Sequence, residues 1–293
     1  MGKAYEGPAR VLVGYDGSDD AQTALAYAVT EAEARDAELV LAYSVDDMVL
    51  NSAWSVVFDP DEVKRDAADM LQVATDELVA QGFPRKRVRA EVVLGPPVKS
   101  LSRLSEWATI VVVGRASNSG EQAVVGSTAV GVAATSRCPV IVIGVNNPLP
   151  QPGRRRIGVG VNPSATVAAN ALSWAVGEAI RTGGPLAVLS VCRAATGRFF
   201  RNSALTAEQQ DALVAATREH VGELLAAARE GRADLDVDID VLFGSPVDTL
   251  VQRSRELDLL VVDLLASFPT YAISGVARGV MTHAHCPVAL LRS

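Results

Sequence analysis

Residues Val11–Ser18 read VLVGYDGS and residues Ile157–Ser164 read IGVGVNPS, so one pattern occurs twice in the chain. Three further pairs follow in the same order: ALAYAV at 24–29 with ALSWAV at 171–176, GPPV at 95–98 with GSPV at 244–247, and CPV at 138–140 with CPV at 286–288. In every pair the second copy begins 146 to 149 residues after the first. A period this long is that of a whole domain and excludes a solenoid of short repeats.

Within each copy, short apolar strands alternate with segments whose apolar residues recur at helical spacing. Short connections between them imply right-handed crossovers, so we predict α/β domains with a parallel sheet and helices on both faces. We place domain 1 at residues 1–146, a linker at 147–155 and domain 2 at 156–293. Prolines at 148, 150 and 152 favour an extended linker. The basic cluster Arg154–Arg156 is interpreted as a solvated part of it.

Composition and charge restrict the classes of protein to which the chain can belong. Of its 293 residues, 49% are hydrophobic and 21% are charged, as in soluble globular proteins. The net charge of −7 argues against non-specific nucleic-acid binding, which needs an excess of Lys and Arg. Three cysteines give no disulfide framework, and the apolar runs fit neither a signal peptide nor a membrane span. We expect a cytoplasmic protein that binds neither nucleic acid nor membranes.

Candidate ligand-binding segments of the first copy follow its predicted strands, because open parallel sheets bind ligands at the carboxyl ends of their strands. Asp16 can accept hydrogen bonds from a ribose or a base, although Asp16 or Ser18 can equally cap the following helix. Gly126–Thr128 would place N–H groups and hydroxyls at a helix N-terminus, where anions bind, or would simply cap that helix. Ser44–Val45 ends the second strand and is explained equally well by core packing. The glycine spacing and the missing lysine exclude a Walker A loop.

These motifs resemble those of the universal stress protein family, twice in tandem and over nearly the whole chain. The matching features are the strand-end motif at 11–18, Gly95–Pro96, VVG at 112–114, and Gly126–Ser127 before a helix that leads to CPV at 138–140. The resemblance implies two Rossmann-like domains, each a five-stranded parallel sheet with helices on both faces. It also implies that the domains pair about a pseudo-two-fold axis as an intramolecular dimer.

The resemblance further implies a nucleotide site in domain 1. Asp16 and Val45 would hold the adenine and ribose, and the segment from Gly114 to Thr128 would line the phosphates. The cofactor would be ATP with Mg²⁺, or a related adenine nucleotide. The candidate binding residues are Gly14, Asp16, Gly17, Val45, Gly114, Arg115, Ser117, Gly126, Ser127 and Thr128.

Both copies depart from the family's nucleotide-binding pattern Gly-x2-Gly-x9-Gly-Ser/Thr. In the first copy Ser117 takes the place of the second glycine, eight residues separate it from Gly126, and Glu121 would repel a triphosphate. The second copy departs further at four positions: Asn162 for Asp16, Pro163 for Gly17, Asp263 for Gly114 and Val276 for Ser127. We therefore interpret domain 2 as a structural partner with a degenerate site.

Two functions fit these observations. The first is a regulatory protein of the stress response that binds ATP or AMP through domain 1, and the second is a nucleotide-free adaptor for another protein. An enzyme fits less well, at most one of slow ATP hydrolysis, because no nucleophile with a base stands out. His283, His285 and Cys286 could suggest a metal trio, but cations near a helix C-terminus are favourable without a metal, so we assign no metal site. Homodimerisation is a further expectation.

Overall fold

Two compact units, Met1–Leu149 and Pro150–Ser293, make up the chain in the computed structural model. The structure describes residues 8–46, 60–116, 125–151, 153–162, 168–192, 205–229, 234–264 and 273–292. Ser117, Glu121 and Pro163 lie outside the described residues. In the described part of the chain, no helix is both long and apolar enough to cross a bilayer.

The first unit alternates strand and helix. Its elements are β1 (Arg10–Gly14), α1 (Asp19–Ala34), β2 (Glu38–Val45), α2 (Pro60–Ala80), β3 (Val88–Leu94), α3 (Pro97–Leu104), β4 (Ile110–Gly114), α4 (Ser127–Thr135) and β5 (Val140–Ile143). The strands lie in the order β3-β2-β1-β4-β5, and every neighbouring pair is parallel. The order therefore reverses between β1 and β4, and such a point is where parallel sheets bind ligands.

The second unit repeats this arrangement. Its elements are β6 (Ile157–Val161), α5 (Ala168–Thr182), β7 (Leu186–Cys192), α6 (Ala207–Arg229), β8 (Val237–Phe243), α7 (Pro246–Arg253), β9 (Leu259–Leu264), α8 (Gly275–His283) and β10 (Val288–Arg292). The order is β8-β7-β6-β9-β10, again with parallel neighbours. The prediction of two α/β domains with five-stranded parallel sheets is confirmed.

The central strands are buried on both faces. Ile110–Val113 and Val140–Ile143 each contain four consecutive residues that are at most 3% exposed. Since successive residues of a strand point to opposite faces, helices must cover both sides of the sheet there. Edge strands behave differently: in β8, Asp238 is exposed and Asp240 pairs with Arg253. One face of that strand is therefore acidic, although Arg253 neutralises part of it.

The two units fill one equivalent place in their cores in opposite ways. In the second unit, a Cβ on Gly158 would lie 2.2 Å from Cδ1 of Leu257, so the glycine makes room for the leucine. At the equivalent positions of the first unit, Leu12 lies in β1 and Ala108 follows a short 3-10 helix, Ser105–Trp107. The leucine is thus on the strand in the first unit, and on the segment that packs against the strand in the second.

Two residues of the predicted linker are buried, one near each of its ends. Arg155 is 3% exposed and Asn147 is 6% exposed, so neither residue is solvated. The carbonyl of Arg155 also lies where a Cβ on Gly184 would be, 1.7 Å away, which explains why that turn contains glycine. Composition alone indicates a solvated segment here because it does not reveal that Oδ1 of Asn147 accepts hydrogen bonds from the N–H of Gly144 and from Arg115.

Candidate nucleotide site

A cleft of about 300 Å³ opens at the carboxyl ends of β1, β2 and β4. Its walls come from the loop after β1, the end of β2, the first turn of α3 and the N-terminus of α4. The predicted residues that line it are Gly14, Asp16, Gly114, Arg115, Gly126, Ser127 and Thr128. The fold thus brings seven of the ten candidate residues, which are distant in the sequence, to one place.

The loop after β1 orients its carboxylate by local hydrogen bonds. Oδ1 of Asp16 accepts from the backbone N–H of Ser18 at 3.1 Å and from its hydroxyl at 2.6 Å. The same Ser18 hydroxyl caps α1 by accepting from the N–H of Ala21 at 3.3 Å. The capping alternative therefore holds for Ser18, while Asp16 remains an exposed acceptor at the mouth of the cleft.

Gly17 and Val45 do not line the cleft. Gly17 has φ +77°, so glycine is needed there for the turn between β1 and α1. Val45 is 4% exposed, and its carbonyl accepts from the N–H of Gly95 at 2.9 Å. Its neighbour Ser44 lines the cleft instead, and the Ser44 hydroxyl donates to the Gly95 carbonyl at 2.5 Å.

The N-terminus of α4 lies at the cleft and, among the residues that the structure describes, has no side-chain cap. Its N-cap residue is Gly126, which has no hydroxyl or carboxylate to satisfy the N–H groups of the first turn. Ser127 and Thr128 begin the helix, line the cleft and each carry a hydroxyl. Uncapped N–H groups, the helix dipole and two hydroxyls together fit a phosphate-sized anion.

Arg115, the predicted cation for the phosphates, is engaged within the protein. Its Nη2 donates to Oδ1 of Asn147 at 2.9 Å, and its guanidinium lies against the backbone of Gly144. A Cβ on Gly144 would be 3.1 Å from the guanidinium carbon, so glycine permits this contact. Arg115 lines the cleft, but an anion there must either bind at the helix N-terminus or compete with Asn147 for the Nη2 donor.

Sequence reasoning missed Asp20, Tyr15 and Tyr43. The Asp20 carboxylate accepts from the N–H of Ala116 and of Val145, both at 2.7 Å. Gly114 permits this arrangement, because a Cβ there would lie 2.9 Å from the Cβ of Asp20. The available signal for Asp20 was its place beside the apolar stripe of α1, where an acidic residue needs a partner.

The two tyrosines give the cleft its aromatic surface. Tyr15 is 8% exposed, and burial raises the pKa of its hydroxyl, with the carboxylates of Glu77 and Asp16 adding to the effect. The hydroxyl is therefore a neutral donor over the physiological pH range. Tyr15 was inside the quoted strand-end motif, but the motif gives no indication of which way its side chain points.

The second unit differs at the equivalent helix. Ser274 is the N-cap of α8, and its hydroxyl accepts from the N–H of Ala277 at 3.1 Å. Asp263 stands at the end of β9 where the first unit has Gly114. The helix terminus that is uncapped in the first unit is capped by a side chain here, which agrees with the interpretation that this copy is degenerate.

Two of the three histidines of the second unit, His283 and His285, lie at or just after the end of α8, whereas His220 lies in α6. The backbone N–H of His285 donates to the hydroxyl of Ser254 at 2.9 Å, and Cys286 is fully buried. Among the described residues, no three His, Cys, Asp or Glu side chains are grouped in a way that could hold a metal ion.

Comparison with known proteins identifies the family. The model of the universal stress protein family matches residues 8–144 and again residues 153–292. The chain belongs to the universal stress protein family. It carries two universal stress protein repeats in tandem.

Individual relatives agree with this assignment. A universal stress protein of Mycobacterium tuberculosis is 26% identical over 96% of both chains. The crystal structure of a universal stress protein from Archaeoglobus fulgidus has the same fold, with a TM-score of 0.66 at 18% identity over 97% of this chain and 96% of its own. A universal stress protein solved in complex with cAMP matches 47% of this chain and 98% of its own, with 26% identity and a TM-score of 0.35.

Proposed function

We propose that this universal stress protein is a regulatory protein of the cytoplasmic stress response that binds an adenine nucleotide in the cleft of its first repeat. The observation that carries the proposal is the uncapped N-terminus of α4 at the end of a cleft lined by strand ends. Regulation follows if the nucleotide stabilises one conformation of the cleft loops, because a ligand shifts a protein toward the state that it binds better.

The residues of the cleft fit the parts of an adenine nucleotide. Tyr15 and Tyr43 offer apolar rings to the base, and the Asp16 carboxylate can accept from ribose hydroxyls. Ser127 and Thr128 supply hydroxyls and N–H groups to one phosphate at the helix N-terminus. Mg²⁺ would enter bound to the phosphates and would offset their charge, while Nη2 of Arg115 already donates to Asn147.

Thermal unfolding with and without ATP and Mg²⁺ tests the proposal, after confirmation that no nucleotide co-purifies. A ligand at 100 times its Kd stabilises the folded state by about 2.7 kcal/mol, which for a repeat of this size raises Tm by about 5–10 °C. Asp16→Ala should remove the shift. Asn162→Ala makes the same kind of change at the matched position of the second repeat and should leave the shift intact. No shift at millimolar ATP in the unaltered protein would overturn the proposal.

The engagement of Arg115 favours a second candidate, a nucleotide-free adaptor. An arginine held by Asn147 and packed against Gly144 is part of the fold whether or not a nucleotide binds. The same experiment separates the two functions, since an adaptor of this kind shows neither co-purified nucleotide nor a dose-dependent Tm shift.

A further inference from the structure

One buried carboxylate joins three separate segments around the cleft. Asp20 lies in the first turn of α1 and is 6% exposed. One of its oxygens accepts from the N–H of Ala116, where the loop after β4 begins, and the other accepts from the N–H of Val145, just beyond β5. Both donor–acceptor distances are 2.7 Å, which is typical of strong hydrogen bonds to an ionised group.

A second set of hydrogen bonds connects the same segments. Oδ1 of Asn147 accepts from Nη2 of Arg115 and from the N–H of Gly144, both at 2.9 Å. The Arg115 backbone donates to the Ile143 carbonyl and accepts from the N–H of Gly126, each at 2.8 Å. Arg115 and Gly126, which line the cleft, are therefore hydrogen-bonded to each other, and Arg115 is also bonded to the end of β5 and to Asn147.

The second repeat lacks the elements of this arrangement. The sequence there has no carboxylate at residues 165–167, which correspond to the start of α1, and Asp263 replaces the glycine that lets Asp20 approach β4. The sequence of the second repeat therefore does not repeat the carboxylate and the glycine on which this bridge depends.

We propose that Asp20 is a positioning residue of the cleft and that it couples ligand binding to the segment that joins the two repeats. The inference rests on the proposed function. Ala116 lines the cleft, so a ligand that restricts Ala116 also restricts Val145 through Asp20, and binding in the cleft affects the first residues after β5. A carboxylate is required because two N–H groups point at two oxygens, whereas an asparagine offers one acceptor oxygen and a second donor.

The test uses the full chain and Asp20→Asn, with Asp19→Asn as the matched control. Asp19 is the exposed neighbour in the same turn, so both variants lose one negative charge at the start of α1. Calorimetric titration with ATP and Mg²⁺ gives the affinity, and amide exchange measured by NMR reports on Ala116 and Val145.

We expect Asp20→Asn to bind ATP about tenfold more weakly, and its Ala116 and Val145 amides to exchange faster, because one N–H loses its acceptor. Loss of a nearby negative charge by itself strengthens anion binding, so a weaker affinity cannot be a charge effect. In the unaltered protein ATP should slow exchange of the Val145 amide. Asp19→Asn should match the unaltered protein in this exchange.

A second pair of variants keeps the inference testable if Asp20→Asn does not fold. Asn147→Ala removes the other connection and should weaken the ATP-induced protection of the Gly144 amide, whereas Asn146→Ala, at the exposed neighbour, should not. If the unaltered protein fails to bind ATP, the proposed function is wrong and the inference falls with it. If the unaltered protein binds ATP, two results would show that only the inference is wrong. Either Asp20→Asn binds ATP equally well, or ATP leaves the exchange rate of the Val145 amide unchanged.

Discussion

A negative charge at the first residue of α4 should weaken nucleotide binding without weakening the fold. Ser127 is exposed and begins the helix, so Ser127→Glu can be accommodated without disturbing the core. A carboxylate in the first helical turn interacts favourably with the helix dipole, by about 0.3–1 kcal/mol. The substitution is therefore expected to leave Tm unchanged or slightly raised, which separates its effect on binding from misfolding.

The effect on affinity follows from the distance between the introduced carboxylate and a phosphate at the same helix end. Two unit charges about 4 Å apart repel by about 1 kcal/mol in bulk water and about 4 kcal/mol at the effective dielectric constant of a protein surface. Since about 1.4 kcal/mol corresponds to a tenfold change in Kd, ATP affinity should fall by about 5-fold to 1000-fold. The loss should shrink at high salt, which screens exposed charges.

Calorimetric titration and thermal unfolding, each with ATP and Mg²⁺, measure the two effects. Ser127→Gln is the control for size, and Val276→Glu places the same charge on the matched helix of the second repeat. Val276→Glu should bind ATP as the unaltered protein does, and Ser127→Gln should lose only the contribution of the hydroxyl, which is less than the loss in Ser127→Glu. If Ser127→Glu binds ATP with unchanged affinity, or if Ser127→Gln loses binding to the same extent, the N-terminus of α4 is not the phosphate site.

Three further predictions concern single contacts. Gly126→Ser adds an N-cap hydroxyl that accepts from the first turn of α4. The free energy of unfolding should stay the same or rise by a few tenths of a kcal/mol, which is the difference between the two caps. Titration should show weaker ATP binding. Burial raises the pKa of the Cys138 thiol from 9.0 to about 12, so thiol reagents at pH 8 should label it far more slowly than a free thiol, and Cys138→Ser should not alter the fast labelling phase. Because the folded state favours that protonated thiol, its contribution to stability is complete below pH 9 and is lost as the pH rises toward 12. Gly158→Leu should lower Tm by overpacking, and Leu257→Ala should lower it by leaving a cavity. The double variant has the arrangement of the first repeat, so its fall in Tm should be smaller than the sum of the two single falls. Additive losses would show that the two sites do not share that space.

The fold was predictable because the apolar pattern is strong where the sheet is buried on both faces. Val111–Val113 and the repeated motif at 11–18 require strands in a parallel sheet, and the duplication fixes the number of repeats. The linker ends were not predictable from composition, since the burial of Asn147 depends on hydrogen bonds to Gly144 and Arg115, which are close only after folding.

The site was predictable as a place but not in its contacts. Strand-end motifs locate the cleft, because parallel strands present their carboxyl ends at one edge. The strand-end motifs do not indicate where side chains point. Val45 is buried in the core and Arg115 donates to Asn147. Asp20 accepts hydrogen bonds from residues that are 96 and 125 positions away in the sequence. Contacts over such separations arise from the packing of α1 against β4, which no local pattern encodes.

The two repeats differ most informatively at the N-terminus of their last helix. Serine is a better N-cap than glycine, so a sequence adjusted for stability alone would favour serine at both places. The second repeat has that residue, Ser274, with its hydroxyl on the N–H of Ala277. The first has Gly126, which forgoes the cap where the N–H groups face a cleft lined by Ser127 and Thr128. An external acceptor at that helix end accounts for both choices, since it can satisfy the donors that a serine cap would otherwise occupy.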